Sequence, residues 1–291
     1  IDVYHKSTTD LIFNIIAAQP SANQFNFTNL PDSEVVNQGI EFALGYDIID
    51  QQDFTWNASF NIAYNENEVT SLQGQYPAGT IRGQGLSLAF AQQVQEGQPL
   101  FSYFLREFEG FDPNTGQPIQ EDVQKFVGKS ALPDFSGGLS TSARYKNWTL
   151  SAYFNGQFGH YIYNNTANAF FTAGAFRGGR NVLPETLTSG ESFDAAADVS
   201  TRFLESGDFV RLQSASLSYN VPLEDDGLFT AMVFSVTGQN LFVITDYSGL
   251  DPEVSVSPGG GDLLNSLPVY GIDYTGFPRP RTITFGLNAK F

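Results

Sequence analysis

Few side chains in this sequence are equipped for bond-making chemistry. Among 291 residues there are two histidines, His5 and His160, and no cysteine. Without cysteine there is neither a disulfide framework nor a thiolate metal site. No Gly-x-Ser-x-Gly elbow occurs, and Pro258-Gly259-Gly260-Gly261-Asp262 lacks the lysine of a phosphate loop. His160, beside Tyr161, reads as interfacial packing rather than as the partner of a nucleophilic serine. No enzymatic activity and no cofactor are expected. Asp251, Glu253 and Asp262 are weak calcium candidates, because hard cations take oxygen ligands, but no twelve-residue calcium loop is present. What remains is equipment for binding: Tyr163, Phe170, Phe171, Tyr247, Asp251, Asp273 and Tyr274, aromatic and acidic residues in irregular segments. Aromatic faces stack on sugar rings and carboxylates accept hydrogen bonds from hydroxyls; peptides use the same groups. The competing reading is that Asp251-Pro252 and Asp273 fix turns.

The composition narrows the partners. Lys and Arg number 14 against 31 Asp and Glu, a net charge of −17. That balance argues against nucleic acid, whose phosphates need clustered cations. Charged residues are only 15% and aromatics 14%, a charge-poor, ring-rich chain that can bury a core. No run of about 18 apolar residues is present, so no transmembrane helix is expected; barrel strands are not excluded by this.

The elements that must position the binding residues show period two. Trp148, Leu150, Ala152, Phe154, Gly156 and Phe158 share one face, against Thr149, Ser151, Tyr153, Asn155 and Gln157. Trp56 and Phe60 lie on a similar stripe, as do Phe234, Phe285 and Phe291 in theirs. The opposite faces are Asn, Gln, Ser and Thr rather than Lys and Glu. Such faces fit lipid outside and a polar lumen inside; a soluble sandwich with polar strands is the alternative. Eight strands are expected, at about 1–14, 36–49, 54–66, 136–146, 147–160, 206–221, 229–243 and 279–291. Their connections alternate in length, with long loops at 15–35, 67–135, 161–205 and 244–278, the extracellular side of an outer-membrane barrel. A hairpin is expected near Leu100–Phe111. Ile1–His5 reads as the middle of a strand, so a longer chain is expected.

Several stretches resemble one family. Gly238-Gln239-Asn240-Leu241, running on through Thr245, Tyr247 and Gly249 to Asp251-Pro252-Glu253, is similar to a stretch of the SusC/RagA-type TonB-dependent transporters of Bacteroidetes. Gly271-Ile272-Asp273-Tyr274, then Phe277-Pro278-Arg279-Pro280-Arg281-Thr282, resembles their approach to the last strand, and Gly207-Asp208-Phe209-Val210-Arg211-Leu212 an earlier one. The resemblance spans nearly the whole chain. It implies an all-β antiparallel transmembrane barrel of about 22 strands, of which residues 1–291 form the C-terminal part, with the N-terminal plug absent from this chain. It further implies TonB-dependent import of glycans, oligosaccharides or peptides across the bacterial outer membrane. The implied partners are a SusD-like surface lipoprotein, the TonB complex and membrane lipids, with a possible dimer of transporter–lipoprotein pairs.

Arg211, Arg279 and Arg281 share the parity of their strands' lipid-facing residues and fall at the extracellular rim. There they would pair lipid phosphates or the acidic loops. Rival functions are a small complete barrel serving as an anchor or adhesin, a barrel hydrolase, and a part of a secretion or gliding assembly.

Overall fold

The computed structural model describes all residues except 17–19, 21–24, 82, 84–85, 87–88, 224–227 and 254–268. Eight strands form one antiparallel sheet in which every strand neighbours the next in sequence: β1 (Asp2–Thr9), β2 (Glu34–Asp50), β3 (Phe54–Ser71), β4 (Phe135–Tyr145), β5 (Trp148–Phe158), β6 (Phe209–Asn220), β7 (Ala231–Thr245) and β8 (Thr282–Lys290). Alternation explains the sheet. Side chains two apart share a face, so each strand offers one apolar and one polar side. Register puts like with like: Phe60 opposes Leu139, which opposes Phe154, while Ser142 opposes Ser151, which opposes Ser216. The apolar face lies open, with Trp56, Phe60, Trp148, Phe158, Phe234, Phe285 and Phe291 all exposed and Phe154 half-exposed. A soluble protein rarely exposes so large an apolar surface; lipid is the solvent that suits it.

Short turns join the strands at one end at 51–53 and 146–147, and the chain passes from β6 to β7 within residues 221–230. Lys146, with φ 52°, makes the tightest of them. At the other end the connections are long and folded. β2 and β3 run past the length a membrane requires, and their upper ends carry Val35 and Val69 into an apolar cluster with Phe13, Leu72, Ala78 and Val94. A second cluster, around Ile81, Tyr103, Leu105, Tyr163 and Ile272, binds three of the loops into one layer.

Some expectations are corrected. The first strand does not continue to residue 14. Asp10, at φ 54°, turns the chain out of β1, and Ile12–Ile16 pairs instead with Phe25–Asn29. The hairpin expected near Leu100–Phe111 is present but extends further along the chain. Ser102–Leu105 pairs with Lys125–Ser130, and Phe108–Phe111 with Pro118–Gln120. The turn of that second pair is Asp112-Pro113-Asn114-Thr115-Gly116. Asp112 accepts the Asn114 and Thr115 amides, which holds its carboxyl below the usual carboxylate range. Short helices at Asn165–Phe170, Ala173–Arg177 and Pro184–Thr188 show no periodicity long enough to betray them.

Candidate functional site

The loop layer is held to the barrel wall by an ion cluster that begins with a bulge. In β6, Leu212 opposes Phe154 but Ser214, not Gln213, opposes Tyr153; on the other side Leu212 opposes Phe242 and Ser214 opposes Gln239. Against β5, Gln213 is therefore an extra residue, and an extra residue flips every side chain beyond it; against β7 the longer side is β7, where Asn240 and Leu241 stand opposite Gln213. Below the bulge Ala215 and Leu217 face lipid. Above it Leu212 and Val210 do, and Arg211 points to the lumen. The outward parity expected for Arg211 is thus overturned, and so is its lipid role. Its side chain is 4% exposed, with Nη2 2.5 Å from Asp251 Oδ1 and Nε 2.6 Å from Glu253 Oε2. Arg279 adds a bond from Nη1 to the same Glu253 oxygen at 3.3 Å, while its backbone amide donates to Asp251 Oδ2 at 3.4 Å. Two guanidinium groups balance two carboxylates, the condition under which burying charge is tolerable. They also occupy the oxygens a cation would need. Asp251 and Glu253 do not fit a calcium site, Asp262 lies outside the described residues, and no group of three acidic or histidine residues is placed for a metal among the described residues.

The remaining motif residues interlock beside this cluster. The Tyr247 hydroxyl donates to Asp273 Oδ2 at 2.7 Å. Burial raises the pKa of both groups, and the nearby Asp251 carboxylate raises that of Asp273 further. Thr245 Oγ1 donates to the Asp208 carbonyl at 2.7 Å and accepts the Tyr247 amide at 3.1 Å. Gly271, at φ 72°, lies so near Ala131 and the Tyr103 hydroxyl that a Cβ there would collide with both. That hydroxyl lies 2.9 Å from the Tyr161 carbonyl and 2.7 Å from the Gly271 carbonyl, so its single hydrogen is shared between two loops. Glu205 completes the clasp, accepting from Asn164 Nδ2 at 3.1 Å, from the Ser248 amide at 2.7 Å and from Ser248 Oγ at 2.8 Å. The stretches that carry the resemblance are those that fasten the loops.

This sorts the expected binding residues. Tyr163, Tyr247, Asp251 and Asp273 are buried and bonded within the protein, so the turn-fixing reading suits the acids, and a role touching solute is corrected for all four. Phe170 and Tyr274 come together across about a hundred residues of sequence, their rings stacked with centroids 6.0 Å apart and planes 11° from parallel. Arg180, which the sequence did not single out, sets its guanidinium 4.9 Å from the Phe170 centroid. Both rings are half-buried and keep surface for a further partner; Phe171 is half-buried beside them in sequence.

Two polar hollows open in the same layer. One, of about 280 Å³, is lined by Gln92, Gln93, Gln124, Phe104 and the Arg106–Asp198 ion pair. The other, of about 180 Å³, is lined by Gln157, His160, Glu253, Tyr270 and Arg279. His160 is not interfacial. It is buried against Phe209, ring centroids 6.4 Å apart, and burial holds its pKa below the ordinary value. Tyr103, Glu205 and Arg106 left no signal in the sequence, because their partners lie 41 to 168 residues away.

No family model matches the chain. TonB-dependent receptor P3 of Formosa agariphila is 28% identical over 100% of this chain and 32% of its own length. TonB-dependent receptor SusC of Bacteroides thetaiotaomicron is 27% identical over 100% of this chain and 30% of its own length. Among solved structures, the RagAB peptide transporter superposes with a TM-score of 0.77 at 19% identity, covering 99% of this chain and 33% of that one. The chain thus spans about a third of the length of the relatives it matches. Motifs, strand order and relatives agree: the fold is that of part of an antiparallel transmembrane barrel, and along its whole length the chain is similar to SusC/RagA-type TonB-dependent receptors.

Proposed function

We propose that this chain is part of an outer-membrane importer that takes up glycans, oligosaccharides or peptides with energy delivered through the TonB complex. The observation that carries the reading is the open lipid-facing sheet joined to one packed layer of long loops, matched along its whole length by SusC- and RagA-type relatives. A complete eight-stranded barrel is disfavoured by the topology: β1 and β8 lie at opposite edges of the sheet and do not pair with each other. A SusD-like lipoprotein is the proposed partner above the loop layer, in a dimer of such pairs. TonB is proposed to act through a region outside this chain. The proposed solute contact is the Phe170–Tyr274 stack with Arg180 over it, a platform that suits a sugar face or a planar peptide group.

The test is uptake by cells carrying the whole transporter and its lipoprotein. Labelled oligosaccharides and peptides are offered separately, with and without a protonophore. Energy-dependent accumulation of one class supports import and names the class. Accumulation unchanged by deletion of the transporter overturns it.

A further inference from the structure

The lipid-facing stripes end in aromatic residues on both sides of the membrane. On β3 the two ends are Phe54 and Tyr64, on β4 Tyr145 and Phe135, on β5 Trp148 and Phe158; in each strand the interval is ten residues. Ring pairs join them across strands, Phe54 with Tyr145 below and Tyr64 with Phe135 above. Ten residues span roughly 33 Å along a strand. At a tilt of about 45° that is roughly the 25 Å height of the apolar band of an outer-membrane barrel.

On the last strand the lower aromatic is Phe291, packed on Phe229 at 4.9 Å. Ten residues above it stands not an aromatic but Arg281. Its parity is that of Ile283 and Phe285, which face lipid, the latter 79% exposed. The register of β8 against β7 is unbroken from Lys290 to Thr282, and Arg281 is the residue next beyond it. Phe242 and Ile244 are exposed on the neighbouring β7, and Phe277, 88% exposed, precedes Arg281 in the chain.

Arg281 is exposed and has no ion pair or hydrogen bond from its side chain among the described residues. Arg211 and Arg279, which shared its expectation, are engaged by Asp251 and Glu253. Arg279 nonetheless keeps 46% of its side chain exposed two residues away, a second positive charge at the same rim. An unpaired guanidinium set in an apolar face at the depth of the aromatic belt has two needs, a planar anion beside it and hydrocarbon around it. A soluble anion supplies only the first. A phosphorylated lipid supplies both, with acyl chains over Ile283, Phe285 and Phe242 and a bidentate contact to the phosphate.

We propose that Arg281 binds the phosphate of a phosphorylated lipid in the outer leaflet. The full-length transporter is extracted with its surrounding lipid in polymer discs, and retained phosphorylated lipid is counted by native mass spectrometry. R281Q is expected to lower retention about tenfold, as loss of a charge-assisted contact implies, and R281K to lower it less. Heat-modifiable migration in gels reports whether the variants fold. A measurement on the unaltered protein stands beside them: in vesicles of matched acyl composition, phosphorylated lipid is expected to displace its dephosphorylated counterpart from the annulus. Equal retention by R281Q, or equal binding of the two lipids, overturns the proposal. So does displacement of the lipid by inorganic phosphate alone at comparable concentration, which makes the site a soluble-anion site.

Discussion

Arg211 shows how much one side chain determines. Its two carboxylate partners come from the loop after β7, and all three groups are nearly withdrawn from water. Removing the guanidinium leaves uncompensated buried charge, a loss of about 3–5 kcal/mol. R211Q is therefore expected to lower thermal stability sharply, and the double variant R211Q/D251N to regain part of it, read by temperature-resolved gel migration. Asp273 carries a pH signature. Its folded-state pKa is raised above the ordinary 3.8 by burial and by Asp251, so the folded protein binds more protons than the unfolded chain there. Stability then falls as pH rises from that ordinary value through the raised one. D273N is expected to flatten this slope, while Y247F, which strips the carboxylate of a donor, costs about 1–3 kcal/mol. Protease cleavage of the 244–278 loop across that pH range checks both. A solute contact at Phe170 is tested in the same spirit: F170A is expected to raise the half-saturation concentration for uptake, a stacked ring being worth about 0.5–1.5 kcal/mol.

At the scale of elements, strand polarity and the bulge carry the design. Phe154 and Ser151 sit on one strand, the first facing lipid and the second the lumen. F154R places a charge within the apolar band at a cost of about 2–4 kcal/mol. S151R faces the lumen and is expected to cost far less. Denaturant titration of the full-length protein folding into vesicles separates the two. Deleting Gln213 would restore regular pairing with β5 and turn Arg211 and Phe209 outward, into lipid. That variant is expected to fail to assemble, whereas Q213A, which keeps the bulge, is expected to assemble. Equal assembly of the two would show that the bulge does not set the facing of Arg211.

At the scale of the whole molecule, the eight wall strands and the lipid-facing stripe were legible in the sequence, because period two is a local property and lipid demands it of every strand. Trp148 to Phe158 needs no distant partner to declare which way it faces. The loops were not legible in the same way. Tyr103 meets Tyr161 and Gly271, Tyr247 meets Asp273, and Phe170 meets Tyr274 only after some 25 to 170 residues have folded between them. Nothing local marks such contacts, and short helices and bridges in the loops are too brief to show a period. Parity read along β6 also misplaced Arg211, since a bulge is set by pairing with β5 and β7 rather than by β6 alone. What the sequence determined by itself is therefore the barrel wall, its polarity and its resemblance to one family. The tertiary structure alone decided that the motif residues fasten the loops, and that Arg281 is the rim arginine without an ion pair among the described residues. Alternation is written into each strand, but a clasp of buried charges exists only where separate segments meet and exclude water.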